Sequence, residues 1–533
     1  MNRILRAAVI AALALGYAGT LSAQGAGTPS LVVMIVVDQL GGDLLDRYEP
    51  ALTAGGFRRF LDQGHRFSQA SHAHAMPETA AGHATLATGV FPSRHGIVSN
   101  NWRQRAGFDW ITTYAVADTT SPILGYEQEP TLEGRSPVNI LREGIADWVL
   151  ASDPQARTVS ISKKDRAAIT MAGHTDANVW WMVEETASFV TSTYYADRYP
   201  TWISRFNQEV MPGIASSPVW LSEVPAEFRL LAEDDAQVYE VGGRDQSSFP
   251  HRGVDESGSA VGSQDFNVWA FDTPRGDDAV LELAKTAIVQ LQLGQRGSVD
   301  FLAVSFSALD RVGHRYGPLS QEALSTLIHL DLVLANLLTY LDAEVGEGSW
   351  VAGIAGDHGV TIPPEAARRQ GNREAERIDD AEVLADLGTA LRAAASRGGS
   401  PDQIAERLAL EIEEEGLVEQ AYTHHELTLG GMPSDSFAVL YRNSHYPGRA
   451  WGVLSRFGVE VRYGEGDLVT SFETGTDHGS PYWYDRHVEM MLLGPGVVPG
   501  VTDSAVYTVD FAPTLAALGG IRFPTDLDGR RLF

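Results

Sequence analysis

The chain has 533 residues, no cysteine, 44% hydrophobic residues and a formal net charge of −29. This length and apolar content allow a large buried core, and the lack of cysteine excludes disulfides, thiolate metal sites and cysteine nucleophiles. The acidic balance argues against nucleic acid or an anionic membrane as the main partner, and local cations would have to reverse the field for any anionic ligand.

The chain opens MNRILRAAVIAALALGYAGTLSAQ, which is two arginines, an apolar stretch and small residues before a cut after Ala23. Residues 1–23 read as a secretory signal peptide, so the protein is expected to be exported, periplasmic or secreted. An uncleaved anchor is the alternative reading of the same stretch. No later segment is expected to span a membrane once the signal is removed.

LVVMIVV (31–37) is an unbroken apolar run of strand length, the pattern of a buried parallel strand, and it delivers Asp38 at its end. Next comes HAMPETAAGHATLATGVFPSRHGIVSNNW (74–102), in which Pro77 forces a turn and an Ala-rich helix from Thr79 to Thr88 stops at Gly89. Thr79 therefore belongs at a helix N-terminus, where unpaired N–H groups and the helix dipole favour negative charge. That position suits an N-cap, and beside a metal it also suits an alkoxide nucleophile. TVSIS (158–162) is a further short strand, followed by Lys164 and Arg166. On an extended segment these two point the same way and can share an anion. Asn100, in the turn after Gly96-Ile-Val, is a neutral donor for the same anion.

VDFLAVSFS (299–307) leads to Asp310 and His314, and SWVAGIAG (349–356) runs straight into Asp357-His358. GTDHGSP carries His478 ahead of VEMMLLG (488–494). A single Asp after a strand is usually a cap or a turn residue. Four repetitions of the pattern point instead to convergence at one sheet edge, where ligands of open α/β sheets bind. Asp38, Asp310, His314, Asp357, His358 and His478 divide into two sets of three, each suited to a divalent ion such as zinc. His72, His74, His83, His95 and the pair His424-His425 lack that context and read as structural or supporting groups.

The core spans nearly the whole mature chain, so residues 24–533 are expected to be one α/β domain with insertions at about 100–285 and 360–465. The first is rich in Trp and Tyr and reads as a cap. The second contains charged helical sequence (378–397), a helix in PDQIAERLALEIEEEG (401–416) and a strand-like FAVLYR.

Taken in order, VVDQL, PETAAGHATLATGVFPSRHGI, SISKKDR, DRVGH, AGDHG, DHGSPYWYD and the closing VDFAPTLAALGGI…DGRRL resemble the alkaline phosphatase superfamily. The likeness is to its phosphate-irrepressible type, which uses a threonine nucleophile. It implies an α/β fold with a three-layer α/β/α core, a mostly parallel sheet and cap insertions. It also implies two zinc ions, one held by Asp38, Thr79, Asp357 and His358 and the other by Asp310, His314 and His478. Small phosphate monoesters would be the substrates, with a phosphothreonine formed on Thr79 and Asn100, Lys164 and Arg166 on the phosphoryl oxygens. The family's Lys-x-Arg pattern favours Lys164 over Lys163, and distance from Thr79 favours Asn100 over Asn101. A motif for the magnesium site of the serine-type enzymes is missing. The rival reading is a phosphodiesterase or nucleotide pyrophosphatase of the same superfamily, against which Lys164 and Arg166 weigh because they favour a dianionic monoester.

Overall fold

The computed structural model describes residues 27–533 apart from 108, 130, 176–177, 241–245, 255–257, 430–434 and 471–474. The leader read in residues 1–23 lies outside the described residues.

Strand β1 (Leu31–Val37) has every residue buried, because it is covered on both faces and flanked on both edges. Its central-sheet partners are β2 (His65–Phe67), β3 (Thr158–Ser162), β4 (Asn178–Val183), β5 (Ser188–Val190), β6 (Asp300–Phe306), β7 (Trp350–Gly356), β8 (Met490–Leu493) and β9 (Gly500–Thr502). Their spatial order is β9-β2-β8-β7-β1-β6-β3-β4-β5. The centre is parallel, and only β8 against β7, β2 against β8 and β5 against β4 run antiparallel. In register, Leu31 lies opposite Asp300 and Trp350, and Val37 opposite Phe306 and Gly356. Three adjacent strands thus end at one level, and the residues that follow them meet there.

Side chains alternate between the two faces of β1. Leu31, Val33, Ile35 and Val37 pack against helices α3 (Arg275–Gln290) and α5 (Gln321–Leu341), through Leu283, Ile288, Leu327 and Leu334. Val32, Met34 and Val36 pack against α1 (Thr79–Thr88) and α6 (Phe511–Leu518), through Leu86, Ala87, Phe511 and Leu515. The result is a three-layer α/β/α core. Each fully buried Val, Leu or Ile contributes roughly 1.5–3 kcal/mol, so the two faces of β1 alone anchor a substantial part of it.

The structure corrects two sequence-based expectations. Segment 100–285 is not wholly an insertion, since it supplies β3, β4, β5 and core helix α3. Only part of it, such as the hairpin Asn101–Ala106 and Asp109–Tyr114, stands apart from the central sheet. The Trp-rich run NVWWMV looked like a cap because Trp180 and Trp181, both 2% exposed, fill opposite faces of a sheet strand with aromatic rings. FAVLYR is helical, within Ser436–Ser444, because Asp435 caps the Phe437 N–H and Ala438, Tyr441 and Ser444 are buried at helical spacing. Helix α5 is apolar and long enough to cross a membrane by composition, yet it is a core helix. Segment 360–465 has its own small core around Leu387, Leu408, Ile412, Leu454 and Val459, and its described strands stay out of the central sheet.

Candidate active site

Thr79 is the first residue of α1 and is 1% exposed. Glu78, just before it, does not cap the helix with its side chain. Its carboxylate instead accepts from Ser99 Oγ at 2.8 Å and from the Asn100 N–H at 2.7 Å. Asn100 Oδ1 in turn accepts from the Ala80 N–H at 2.9 Å, which fixes the Asn100 amide beside Thr79. Asn101 is exposed on the hairpin strand.

Lys164 and Arg166 are not on an extended segment as the sequence suggested. Lys164 is the N-cap of α2 (Asp165–Ala172), and Arg166 is its second residue. Both side chains still converge on the Thr79 hydroxyl, with Lys164 Nζ at 3.5 Å and Arg166 Nη2 at 3.4 Å. Burial opposes the charge on Arg166, but Tyr114, Asp165 and Asp38 outweigh it and hold the guanidinium protonated. Lys163 is occupied elsewhere, with Asp272 at 2.5 Å and Glu184 at 3.2 Å.

Asp38 and Asp357 directly follow β1 and β7, and Asp310 lies in the first turn of α4 (Ala308–Tyr316) just beyond β6. His314 sits one helical turn on, with Nε2 3.2 Å from Asp310 Oδ1. His358 Nε2 lies 3.3 Å from Asp38 Oδ1 and 3.6 Å from Asp357 Oδ2. His478 stacks on His358 with ring centroids 3.6 Å apart, and its Nε2 is 3.7 Å from Asp310 Oδ1. All six residues expected to bind metal therefore meet. Ligand atoms of Asp38, Asp357 and His358 lie within 4.8 Å of one another, and so do those of Asp310, His358 and His478.

The cluster has the chemistry of a cation site. Asp38 Oδ1, Asp357 Oδ2 and His358 Nε2 are buried and face one another and His83 at 3.0–3.6 Å, but none makes a well-aligned hydrogen bond. Lys164 Nζ bridges Asp38 at 2.5 Å and Asp310 at 2.6 Å. Burial and Asp310 push the Asp38 carboxyl up, but Lys164 and His358 prevail and hold it well below the usual carboxylate range. Burial likewise opposes a charged His358, yet Asp357, Asp38 and Asp310 push it up to about 10. Three clustered carboxylates thus draw positive charge from any available group. Oxygen and imidazole donors together suit a borderline divalent ion.

Residues 32–464 match the family described as type I phosphodiesterase / nucleotide pyrophosphatase. The chain belongs to this family. It is 30% identical over 524 residues to alkaline phosphatase PhoV of Synechococcus elongatus, covering 95% of this chain and 93% of that protein. It is 27% identical over 545 residues to alkaline phosphatase PafA of Elizabethkingia meningoseptica, covering 97% and 96%. The crystal structure of wild-type PafA superposes with a TM-score of 0.84 at 26% identity, over 95% of this chain and 98% of that one.

Several residues of this family member's site were not legible from strand ends. Gln39, with φ 69°, donates its N–H to Asp357 Oδ1 and its Nε2–H to Asp310 Oδ1, both at 3.0 Å, and so ties the two halves together. His83 bridges the Thr79 carbonyl at 2.8 Å and Ser305 Oγ at 2.8 Å, with Nδ1 3.0 Å from Asp357 Oδ2. Its spacing of four from Thr79 was the available signal. Asp477 joins His314 and His478 in a third group of close ligand atoms. It adjoins His478 in the sequence, but nothing there distinguished it from a loop acid.

Proposed function

We propose that this chain hydrolyses phosphate monoesters with Thr79 Oγ1 as nucleophile. The observation that carries the reading is the convergence of Lys164 and Arg166 on that oxygen. A phosphate monoester dianion presents more negative oxygen than a diester, so two cations at the attacking atom favour it. Both named relatives, PhoV and PafA, are alkaline phosphatases, which supports the same reading.

Thr79 gives up its proton and its oxygen bonds to phosphorus as the bond to the leaving oxygen breaks; that oxygen gains a proton and departs as the alcohol, leaving a phosphothreonine. Water then bonds to phosphorus as the Thr79 oxygen–phosphorus bond breaks, one water proton restores the Thr79 hydroxyl, and phosphate is released. Arg166 and Lys164 oppose charge on the non-bridging oxygens throughout. The Asn100 amide nitrogen is free to donate to the same group, because Oδ1 is already used on the Ala80 N–H. Helix α1 adds its N-terminal dipole beneath the transferred phosphoryl group.

Two zinc ions suit the donors, one on Asp38, Thr79, Asp357 and His358, the other on Asp310, His314 and His478. Bound there, they supply Lewis-acid charge to the attacking and leaving oxygens and lower the hydroxyl pKa.

A phosphodiesterase reading has one observation in its favour. A cavity of about 370 Å³ beside His478, lined by Tyr441, Trp451, Arg462 and Tyr482, could hold an additional organic group. Comparing an aryl phosphate with the matching methyl aryl diester separates the two. Faster monoester turnover that is lost in Thr79→Ala is expected, and faster diester turnover would reverse the assignment. Export is also part of the proposal, and a mature N-terminus after Ala23 is the result expected from N-terminal sequencing.

A further inference from the structure

We propose that His424, His445 and Glu460 form a separate divalent-cation site of the zinc type, in segment 360–465 and independent of the chemistry at Thr79. Three elements bring these residues together. His424 begins the helix His424–Leu429, directly after strand Gln420–Thr423. His445 directly follows the helix Ser436–Ser444, and Glu460 lies on strand Val459–Arg462, where it pairs with Tyr422 of the first strand. One ligand atom from each residue lies within 4.8 Å of the others. His424 Nε2 is 2.8 Å from Glu460 Oε1, and the two imidazole centroids are 4.3 Å apart.

A buried ion pair between His424 and Glu460 accounts for two of the three residues, but it leaves His445 unexplained. That residue is 8% exposed, and its Nδ1 is buried with no hydrogen-bond partner. Glu460 is 2% exposed, and its other oxygen is oriented by Ser455 Oγ at 2.6 Å, as outer groups orient ligating carboxylates in metal sites. Ligand atoms around a tetrahedral ion are about 3.3 Å apart, so small side-chain rotations close this cluster on one. The His424 side chain is 26% exposed, which leaves an approach for a water as fourth ligand.

The site is placed to matter for substrate access. Glu460 also lines the cavity that reaches His478. An ion here would lock the two helices and the strand Val459–Arg462 against each other beside the cavity that reaches His478.

The test is zinc content of the full-length protein after loading with zinc chloride and desalting, in wild type, His445→Ala and Glu460→Gln. The variants are expected to hold one zinc per chain fewer than wild type, and wild-type crystals should show a zinc-edge anomalous peak between the three side chains. Equal zinc in all three proteins would overturn the proposal. So would wild-type crystals with peaks at Asp38, Asp357 and His358 but none here, a result that stands even if the variants fail to fold.

Discussion

At the residue scale the decisive distances are the two to the Thr79 hydroxyl, 3.5 Å from Lys164 and 3.4 Å from Arg166. An anion bonded to that oxygen meets two positive charges in a buried site, where each is worth more than in bulk solvent. Replacing Thr79 by Ala removes the attacking atom, and aryl phosphate turnover is expected to fall by roughly 10³-fold or more, as for other nucleophile deletions. Steady-state kinetics on a correctly folded variant check this, and near-wild-type turnover would exclude Thr79. Gln39 offers a subtler case. It spans Asp357 and Asp310, so Gln39→Ala should lower metal retention with Thr79 untouched. Strand-end position made the aspartates legible in the sequence, whereas Gln39 was hidden because its role depends on a left-handed backbone and contacts hundreds of residues away.

Elements place these groups more tightly than composition suggests. Helix α1 lies directly on the Asp357 backbone, and a methyl group at Gly82 would overlap the Asp357 carbonyl. Gly82→Ala should therefore destabilise the fold by about 1–3 kcal/mol, the usual cost of overpacking, and a lower unfolding temperature would report it. Helices α3 and α5 carry a different constraint. His329 on α5 contacts Glu223 at 2.8 Å and Asp278 of α3 at 2.9 Å. Burial opposes its charge, but the Asp278 and Glu223 hydrogen bonds push it up to about 10. Because the folded value exceeds the unfolded one, this contribution is complete below about pH 6.5 and is lost as pH rises through 10. The stability gap between wild type and His329→Gln should accordingly narrow between pH 6.5 and pH 10 in thermal melts. A gap that widened would contradict the assignment. The sequence revealed the strands β1, β6 and β7 almost to the residue because each strand-length, largely apolar run ends just before a ligand-type side chain. It misled at Lys164 and Arg166, where a strand stops and a helix starts within three residues, and at FAVLYR, where a short apolar run fits either period.

At the scale of the molecule, a chain of net charge −29 concentrates its acids in two ways. Most solvate the surface, while Asp38, Asp310 and Asp357 are buried together at the end of the sheet. Buried like charges destabilise a fold unless cations compensate them. Chelation is therefore expected to lower both the unfolding temperature and phosphatase activity, with zinc restoring both. Unchanged stability and activity in excess chelator would remove metal from the account. The buried parallel strands were legible from their apolar runs, while the three-layer arrangement came from the family resemblance. The extent of the insertions was not, since aromatic sheet strands and aromatic cap segments look alike in composition.

Lys164 and Arg166, acting at Thr79, are proposed to select monoesters over diesters. The most direct test is the ratio of kcat/KM for an aryl phosphate to that for the matching methyl aryl diester, in wild type, Lys164→Ala and Arg166→Ala. Wild type should favour the monoester, and each substitution should reduce the ratio by about tenfold or more, since an electrostatic donor at a reacting group is worth roughly 10²–10³ in rate. A ratio that is the same in all three proteins would contradict the account.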